Sequence, residues 1–108
     1  TTPRAMAGAL SAVLLGTALS PPSREKLTGW LLGCRTGADR LPAGVPESWK
    51  IGHKTGSGEN GANNDVGVLW PPGRGPIFVA SYLSESTASS KALAAAHAEV
   101  ARIVVASF

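Results

Sequence analysis

The sequence is poor in cysteine, in clustered charge and in long apolar runs, and each shortage excludes a class of protein. Cys34 is the only cysteine among the 108 residues, so no disulfide can form within the chain and a disulfide-stapled mini-protein is excluded. The net charge is only +3, and no run of lysines and arginines is interleaved with aromatic residues, so nothing favours a nucleic-acid partner. With 44% hydrophobic and 16% charged residues, the composition is typical of a small globular domain.

The longest apolar stretch, from Ala5 to Leu19, is too short to cross a bilayer, which needs about 20 residues, and it lacks the flanks of a signal sequence. We therefore expect a helix here, capped by Thr2, with no membrane partner and no signal peptide. The helix is apolar nearly all round, which predicts burial on every side. A chain of this size has too little protein to surround it, so we expect a piece of a larger fold.

A second helix is predicted after Ser20, which can cap it, with an apolar stripe of Leu27, Trp30, Leu31 and Cys34. On this stripe Cys34 is predicted to be a packing residue rather than a reactive thiol. The residues Thr36-Gly37 are predicted to end the helix.

The rest of the chain predicts three strands and a last helix. The strands begin at Trp49, Asp65 and Ile77, and short loops make them antiparallel neighbours, so the fold class is α+β: helix, helix, three-stranded antiparallel sheet, helix. The last helix is expected to cover one sheet face, leaving the other face for partners outside the chain. Its predicted buried stripe is Leu93, Ala96, Val100, Ile103 and Val104, with His97 as a rim or surface residue.

The first strand ends in Lys54-Thr55-Gly56-Ser57-Gly58, which has little side chain to hide its backbone amides. A strand edge of this kind can bind an extended ligand through its backbone. The charge of Lys54 and the hydroxyls of Thr55 and Ser57 suit an acylated substrate that bears a carboxylate. The tripeptide Lys-Thr-Gly alone is also compatible with a Gly-rich turn and a solvated Lys54.

Several separate stretches give the chain a resemblance to a known family. These stretches are the opening Thr-Thr-Pro, the segments Leu27–Trp30 and Thr36-Gly37, and the run from Trp49 to Gly58. In order and in spacing they resemble the C-terminal portion of a class A serine β-lactamase. The resemblance implies the α/β sandwich part of the β-lactamase and penicillin-binding-protein fold. It implies that residues 1–46 belong to or border the all-α subdomain. Residues 47–108 then form the sheet and last helix of the α/β subdomain.

The resemblance also implies roles for individual residues. Lys54 would help to hold the substrate carboxylate and shape the field at the nucleophile, and the Thr55 and Ser57 hydroxyls would bind that carboxylate. The backbone N–H of Ser57 would be one oxyanion-hole donor. No cofactor and no metal are implied. The remaining residues implied in substrate binding are Gly56 and Gly58, which keep the strand edge open, and Glu59 at the mouth of the site.

Arg40 is predicted to bind the substrate carboxylate. Many members of the family place an arginine on the strand after Lys-Thr-Gly, where this chain has Asn64. Other members carry that arginine in the connection before the active-site strand, which is where Arg40 lies. The alternative is a surface arginine.

Three departures from the family pattern matter here. His53 replaces the usual Asp before Lys-Thr-Gly and would add a titrating group, and Pro42 interrupts a segment that is often Arg-Leu-Arg-Ala-Gly. Some members of the family have a cysteine at the strand edge, where this chain has Gly58. Cys34 therefore has no cysteine at that position with which to form a disulfide.

The family's Ser-x-x-Lys nucleophile motif, Ser-Asp-Asn loop and Ω-loop glutamate are expected upstream, with none of them among these residues. The expected partners are therefore an N-terminal part of the enzyme and β-lactam antibiotics, and the expected location is periplasmic or secreted. This chain alone should be inactive. Two alternatives stay open: a fragment of a penicillin-binding DD-peptidase, and a non-catalytic binding module that folds alone.

Overall fold

The computed structural model describes all 108 residues and contains three α-helices, one 3₁₀ turn and a three-stranded antiparallel sheet. This arrangement confirms the predicted α+β class and the predicted order of elements. The elements in chain order are α1 (Pro3–Leu15), α2 (Pro21–Leu32), the 3₁₀ turn (Leu41–Gly44), β1 (Lys50–Ser57), β2 (Asn63–Trp70), β3 (Ile77–Leu83) and α3 (Ser90–Ser107).

Each α-helix begins where a hydroxyl side chain can accept a hydrogen bond from a free backbone N–H of the first turn. Thr2 accepts from the N–H of Ala5 at 3.1 Å, and Ser89 accepts from the N–H of Ala92 at 3.2 Å. Ser20 caps α2 in the same way, and prolines follow the caps of α1 and α2 at the first helical positions. The caps predicted at Thr2 and Ser20 are confirmed.

The sheet has the order β1-β2-β3, so β1 is an edge strand with one free side. Between β1 and β2 the chain turns through Asn60 and Gly61, whose φ angles are 56° and 70°. Asparagine and glycine adopt this left-handed conformation at low cost. The register pairs Thr55 with Asp65 and Ser57 with Asn63, which brings the polar start of β2 beside the glycine-rich end of β1.

The sheet has an apolar core on each face, because side chains of a strand alternate between faces. On one face Leu41, Leu69, Val79 and Ala101 form a buried cluster between the sheet, the 3₁₀ turn and α3. On the other face Leu10 of α1 and Leu31 of α2 pack on Val68. The expectation that this second face is left for partners outside the chain is therefore wrong, since α1 and α2 lie on part of it.

The buried face of α3 differs from the predicted one. Its buried residues are Ala94, His97, Ala98 and Ala101, whereas Val100 and Ile103 are 36% and 59% exposed. The reason is close approach: a Cβ added at Gly44 would lie only 2.0 Å from the Ala98 carbonyl oxygen, so the 3₁₀ turn packs against small residues. His97, predicted at the rim, is fully buried. That prediction was wrong.

The first two helices are less buried than their sequences predicted. In α1 only Leu10 is buried, and Leu15 is 58% exposed. In α2 the predicted stripe holds at Leu31 but fails at Trp30, which is 69% exposed. Cys34 lies beyond the end of α2 and its thiol contacts Thr36, so its placement on the stripe was also wrong. None of the helices combines the length and the apolar character that crossing a membrane requires.

Candidate active-site wall

The end of β1 presents different chemistry on its two faces. Ile51 packs in the cluster beneath α3, and by alternation His53, Thr55 and Ser57 share that face. Lys54 and Gly56 therefore face the side of α1 and α2. There Lys54 and Met6 of α1 contribute to the lining of a cavity of about 230 Å³.

On the α3 side, the guanidinium of Arg40 lies over the end of β1. Arg40 Nη1 donates to the backbone oxygens of Asn64 at 2.8 Å and Gly56 at 3.4 Å, and Nη2 donates to Ser57 Oγ at 3.0 Å. The structure thus brings Arg40, Gly56 and Ser57 together, as expected if the arginine serves this site. Whether it binds a substrate carboxylate stays a prediction.

Gly37 lets the segment before the 3₁₀ turn lie directly on the site. Its φ is +67°, and an added Cβ would lie 2.4 Å from Thr55 Cγ2 and 3.3 Å from Arg40 Cδ. Next to it, Thr36 Oγ1 is 2.6 Å from Thr55 Oγ1, so these two hydroxyls share a hydrogen bond. Thr36 and Gly37 were predicted to end the helix, but α2 ends at Leu32, so that prediction was wrong. They also belong to the stretches that resemble the family. Their contact with the site is a tertiary feature that sequence spacing does not carry.

An open cavity of about 390 Å³ adjoins this group. Its polar lining includes Arg40, Ser57, Gly58 and Asn63. Gly58 continues the wall after Ser57, and its N–H donates to Ala62 O at 3.1 Å in the turn. Glu59, expected at the mouth of the site, is exposed in the same turn and does not line the cavity.

Lys54 is exposed on the opposite face of the strand from the hydroxyls. Its Nζ donates to the backbone oxygen of Thr55 at 2.6 Å, so the side chain folds back along β1. An ammonium has three donors, which leaves two N–H groups of Lys54 for a ligand. The expected set of Lys54, Thr55 and Ser57 is divided between two cavities: Lys54 and Thr55 line the one of about 230 Å³, and Ser57 lines a larger one of about 390 Å³.

Beneath Arg40 lies a buried pair that joins β1 to β2. His53 Nδ1 is 2.8 Å from Asp65 Oδ1, and the two residues are 5% and 0% exposed. A carboxylate only accepts, so Nδ1 carries the proton. Burial alone would lower the pKa of His53, but the hydrogen bond and charge of Asp65 outweigh it, and the pKa is raised above 6.5. The titrating group expected at His53 is thus held toward its cationic form.

A second buried histidine supports the wall from α3. His97 Nε2 lies 3.1 Å from the Asn63 backbone oxygen, and Nδ1 lies 2.8 Å from Ser81 Oγ. The Asn63 oxygen is an acceptor, so Nε2 donates and Nδ1 accepts from the serine hydroxyl. This is a neutral imidazole, and burial lowers the pKa of His97 accordingly. The network fixes Asn63 opposite Ser57 in the sheet.

Cys34 is half-buried near the same wall. Burial tends to raise the pKa of its thiol, but hydrogen bonds with Thr36 and the charge of His53 prevail, and the pKa is lowered. The structure contains no group of three or more His, Cys, Asp or Glu side chains that could hold a metal ion.

One literal Ser-x-x-Lys pattern does occur, at Ser23–Lys26, which corrects the expectation that none would be found. It begins α2 rather than a catalytic site. Ser23 is exposed and belongs to the helix cap, where Ser20 Oγ lies 3.0 Å from Ser23 Oγ. Lys26 is exposed as well, and neither residue lines a cavity beside β1. This pattern is a capping feature and carries no nucleophile.

Comparisons with known proteins agree over the whole chain. The family model described as "Beta-lactamase enzyme family" matches residues 1–108. The chain is 45% identical over 104 residues to β-lactamase CTX-M-25 of Escherichia coli, which covers 96% of this chain and 36% of that protein. It is 51% identical over 79 residues to a β-lactamase of Streptomyces albus G, covering 73% of this chain and 25% of that protein.

Solved structures show the same relationship. An ancestral class A β-lactamase superposes with a TM-score of 0.98 at 53% identity, covering 100% of this chain and 42% of that chain. A class A protein named PenP, from Rhodopseudomonas palustris, gives a TM-score of 0.96 at 45% identity. The chain therefore spans roughly a quarter to two-fifths of the length of these relatives.

Proposed function

Because the chain belongs to the β-lactamase enzyme family, within its class A branch, we propose that it supplies the Lys-Thr-Gly wall of an enzyme that hydrolyses the amide bond of β-lactam antibiotics. The observation that carries the proposal is that Arg40 Nη2 lies 3.0 Å from Ser57 Oγ at the free end of β1, beside the first 390 Å³ cavity, which both residues line. Thr55 lies two residues before Ser57 on the same face of the strand. An arginine beside hydroxyls is a site for a carboxylate.

In this proposal Arg40, Thr55 and Ser57 bind the substrate carboxylate, and Lys54 adds positive charge from the opposite face of the strand. The backbone N–H of Ser57 is one donor to the oxyanion that forms when the amide carbonyl is attacked. Losing such a donor costs about two to three decades in rate. Gly56 and Gly58 leave the strand edge open to the substrate backbone.

The nucleophile and the general base would come from an N-terminal part that carries Ser-x-x-Lys, Ser-Asp-Asn and the Ω-loop glutamate. Without a nucleophile no acyl-enzyme can form, so this chain alone is expected to be inactive. Exposed apolar surface supports docking of such a part: a second cavity of about 390 Å³ is lined by Leu14, Leu15, Leu32 and Trp70, among others. Apolar patches of this kind are typical of interfaces.

The relatives named above include enzymes of Escherichia coli and Streptomyces albus G, which are bacteria. β-Lactams act on the bacterial cell wall, so an enzyme that destroys them is useful outside the cytoplasm. We therefore propose a periplasmic or secreted location.

The experiment mixes this chain with a separately purified N-terminal part of a class A enzyme and follows hydrolysis of a chromogenic cephalosporin. We expect turnover from the mixture and none from either part. Lys54→Met should lower turnover by about a hundredfold. Lys26→Met, at an exposed position on α2 that lines none of the cavities, should leave it near the parent value.

Two results would point elsewhere. A co-eluting complex that acylates once and stays acylated indicates a penicillin-binding DD-peptidase fragment. A cooperative melt of the isolated chain, without binding of an exposed-hydrophobe dye and without association, indicates a self-folding binding module.

A further inference from the structure

The Asp65 carboxylate is the point where the three segments around the site meet. It is fully buried, at 0% exposure. Its Oδ2 accepts the backbone N–H of Leu41 at 3.1 Å, and its Oδ1 accepts His53 Nδ1 at 2.8 Å. One side chain of β2 therefore holds both the 3₁₀ turn and the strand β1.

Arg40 lies directly before the residue that Asp65 holds. It occupies the cap position of the 3₁₀ turn, and its own side chain makes no capping hydrogen bond there. The N–H of Leu41 is thus tied to β2 by the Asp65 carboxylate. On its other side, Asp65 follows Asn64, whose backbone oxygen accepts from Arg40 Nη1 at 2.8 Å. Asp65 therefore holds the chain next to Arg40, through the Leu41 N–H, and next to Asn64, which accepts the shortest hydrogen bond of Arg40.

The space for this arrangement is built into β2. Gly67 pairs with His53 across the sheet, and an added Cβ there would lie 3.2 Å from His53 Cβ and 3.6 Å from Leu41 Cδ1. It would also lie 3.0 Å from the backbone oxygen of Gly52. A glycine at this position lets the imidazole lie against β2 and reach Asp65, two residues along.

We propose that Asp65, supported by His53, is a positioning residue that holds Arg40 over the end of β1 and so sets recognition of the substrate carboxylate. The effect on substrate recognition rests on the proposed function. The placement of Arg40 by Asp65 does not, because it depends only on contacts within this chain. Asp65 acts through Leu41 and Asn64 and does not touch the substrate, because it is fully buried.

The test compares a chromogenic cephalosporin with its carboxylate methyl ester, using the assembled enzyme. For Asp65→Ala we expect KM for the acid to rise about tenfold, the effect of weakening a charge-assisted hydrogen bond, with kcat little changed. The ester should be affected less than twofold. In an Arg40→Ala background, Asp65→Ala should add little further loss for the acid, since the group that it positions is gone.

Leu10→Ala is the control for a general loss of stability. It removes buried side-chain volume on the opposite face of the sheet, where Leu10 packs with Leu31 and Val68, so the ratio of acid to ester should stay at the parent value. Equal losses for acid and ester in Asp65→Ala would overturn the proposal. The proposal would also be overturned if Asp65→Ala raised KM for the acid by the same factor in the parent and in the Arg40→Ala background. If Asp65→Ala does not fold, Asp65→Ser takes its place, because its short hydroxyl cannot reach both partners.

A crystal structure separates this inference from the proposed function. If the assembled parent protein hydrolyses neither substrate, the proposed function fails, and the inference is tested by geometry. In the Asp65 variant the Arg40 guanidinium should leave the Asn64 oxygen, while in Leu10→Ala it should stay. An Arg40 that keeps its place in the Asp65 variant overturns the inference whatever the activity.

Discussion

The role of Arg40 can be tested by replacing it with alanine in the assembled enzyme. The substitution removes a guanidinium whose Nη2 lies 3.0 Å from Ser57 Oγ, at the place where a substrate carboxylate would bind. Its other contacts, to Asn64 and Gly56, are to backbone oxygens and carry no opposing charge. The positive charge is therefore free to attract an anionic ligand.

The size of the effect follows from these surroundings. Two unit charges 4 Å apart attract by about 4 kcal/mol at the effective dielectric constant near a protein surface, which is an upper bound. A fully exposed pair contributes about 0–1 kcal/mol. Arg40 is half-buried, so the value for a charge-assisted hydrogen bond, about 2 kcal/mol, is the appropriate one. We expect kcat/KM for a carboxylate-bearing cephalosporin to fall about thirtyfold.

The assay is steady-state hydrolysis of the acid and its methyl ester, with Arg102→Ala as the control for loss of one positive charge. Arg102 is exposed on α3 and pairs with Glu99 at 2.9 Å, so its loss changes the net charge equally but leaves the wall intact. The kcat/KM for the acid should fall in Arg40→Ala and not in Arg102→Ala, and the kcat/KM for the ester should fall in neither variant. An unchanged kcat/KM for the acid would show that Arg40 is a surface arginine after all.

Three further outcomes follow from the buried contacts, and melting of the assembled protein measures each of them. Gly44→Ala places a Cβ about 2.0 Å from the Ala98 carbonyl oxygen and should destabilise the fold by a few kcal/mol, roughly 2–4; Gly75→Ala, which meets nothing within 4 Å, should not. His97 has a lowered pKa, so its stabilising effect is present above its unfolded pKa of 6.5 and is lost as pH falls through the folded pKa. A His97→Gln variant should therefore lose less stability than the parent as the pH is lowered, and an equal loss would contradict this. His53 has a raised pKa, so its protonation stabilises the fold below 6.5 and the gain disappears as pH rises through the folded value; the advantage of the parent over His53→Asn should therefore be larger at pH 6 than at pH 9.

Local signals predicted the elements of this fold, because they depend on near neighbours. The caps at Thr2 and Ser20, the turn at Asn60-Gly61 and the third strand at Ile77–Leu83 are found as the sequence indicates. For the caps and the turn the deciding interaction spans only a few residues: a hydroxyl accepts an N–H three residues on, or a residue tolerates positive φ. The strand is indicated by its own run of apolar, strand-favouring residues.

Packing between elements was less predictable, as α3 shows. A pattern that ranks side chains by hydrophobicity selects Val100 and Ile103 over alanines. The structure buries Ala94, Ala98 and Ala101 instead, because the backbone of the 3₁₀ turn approaches the helix too closely for larger side chains. His97 follows the alanines into the core, where Ser81 and Asn63 satisfy both ring nitrogens. A buried histidine is predictable only when its partners are known, and these lie 16 and 34 residues away.

The candidate site shows the same division between local and distant information. Period-two alternation along β1 fixes which residues share a face, so the separation of Lys54 from Thr55 and Ser57 could be predicted from the strand alone. The position of Arg40 could not, because it depends on Asp65, which is 24 residues beyond the Leu41 amide that it accepts. The resemblance to the family suggested that Arg40 serves the site without giving a reason for its geometry. The physical reason is the buried Asp65 carboxylate, whose two oxygens accept hydrogen bonds from two different segments, so a substitution of Asp65 should displace the Arg40 guanidinium.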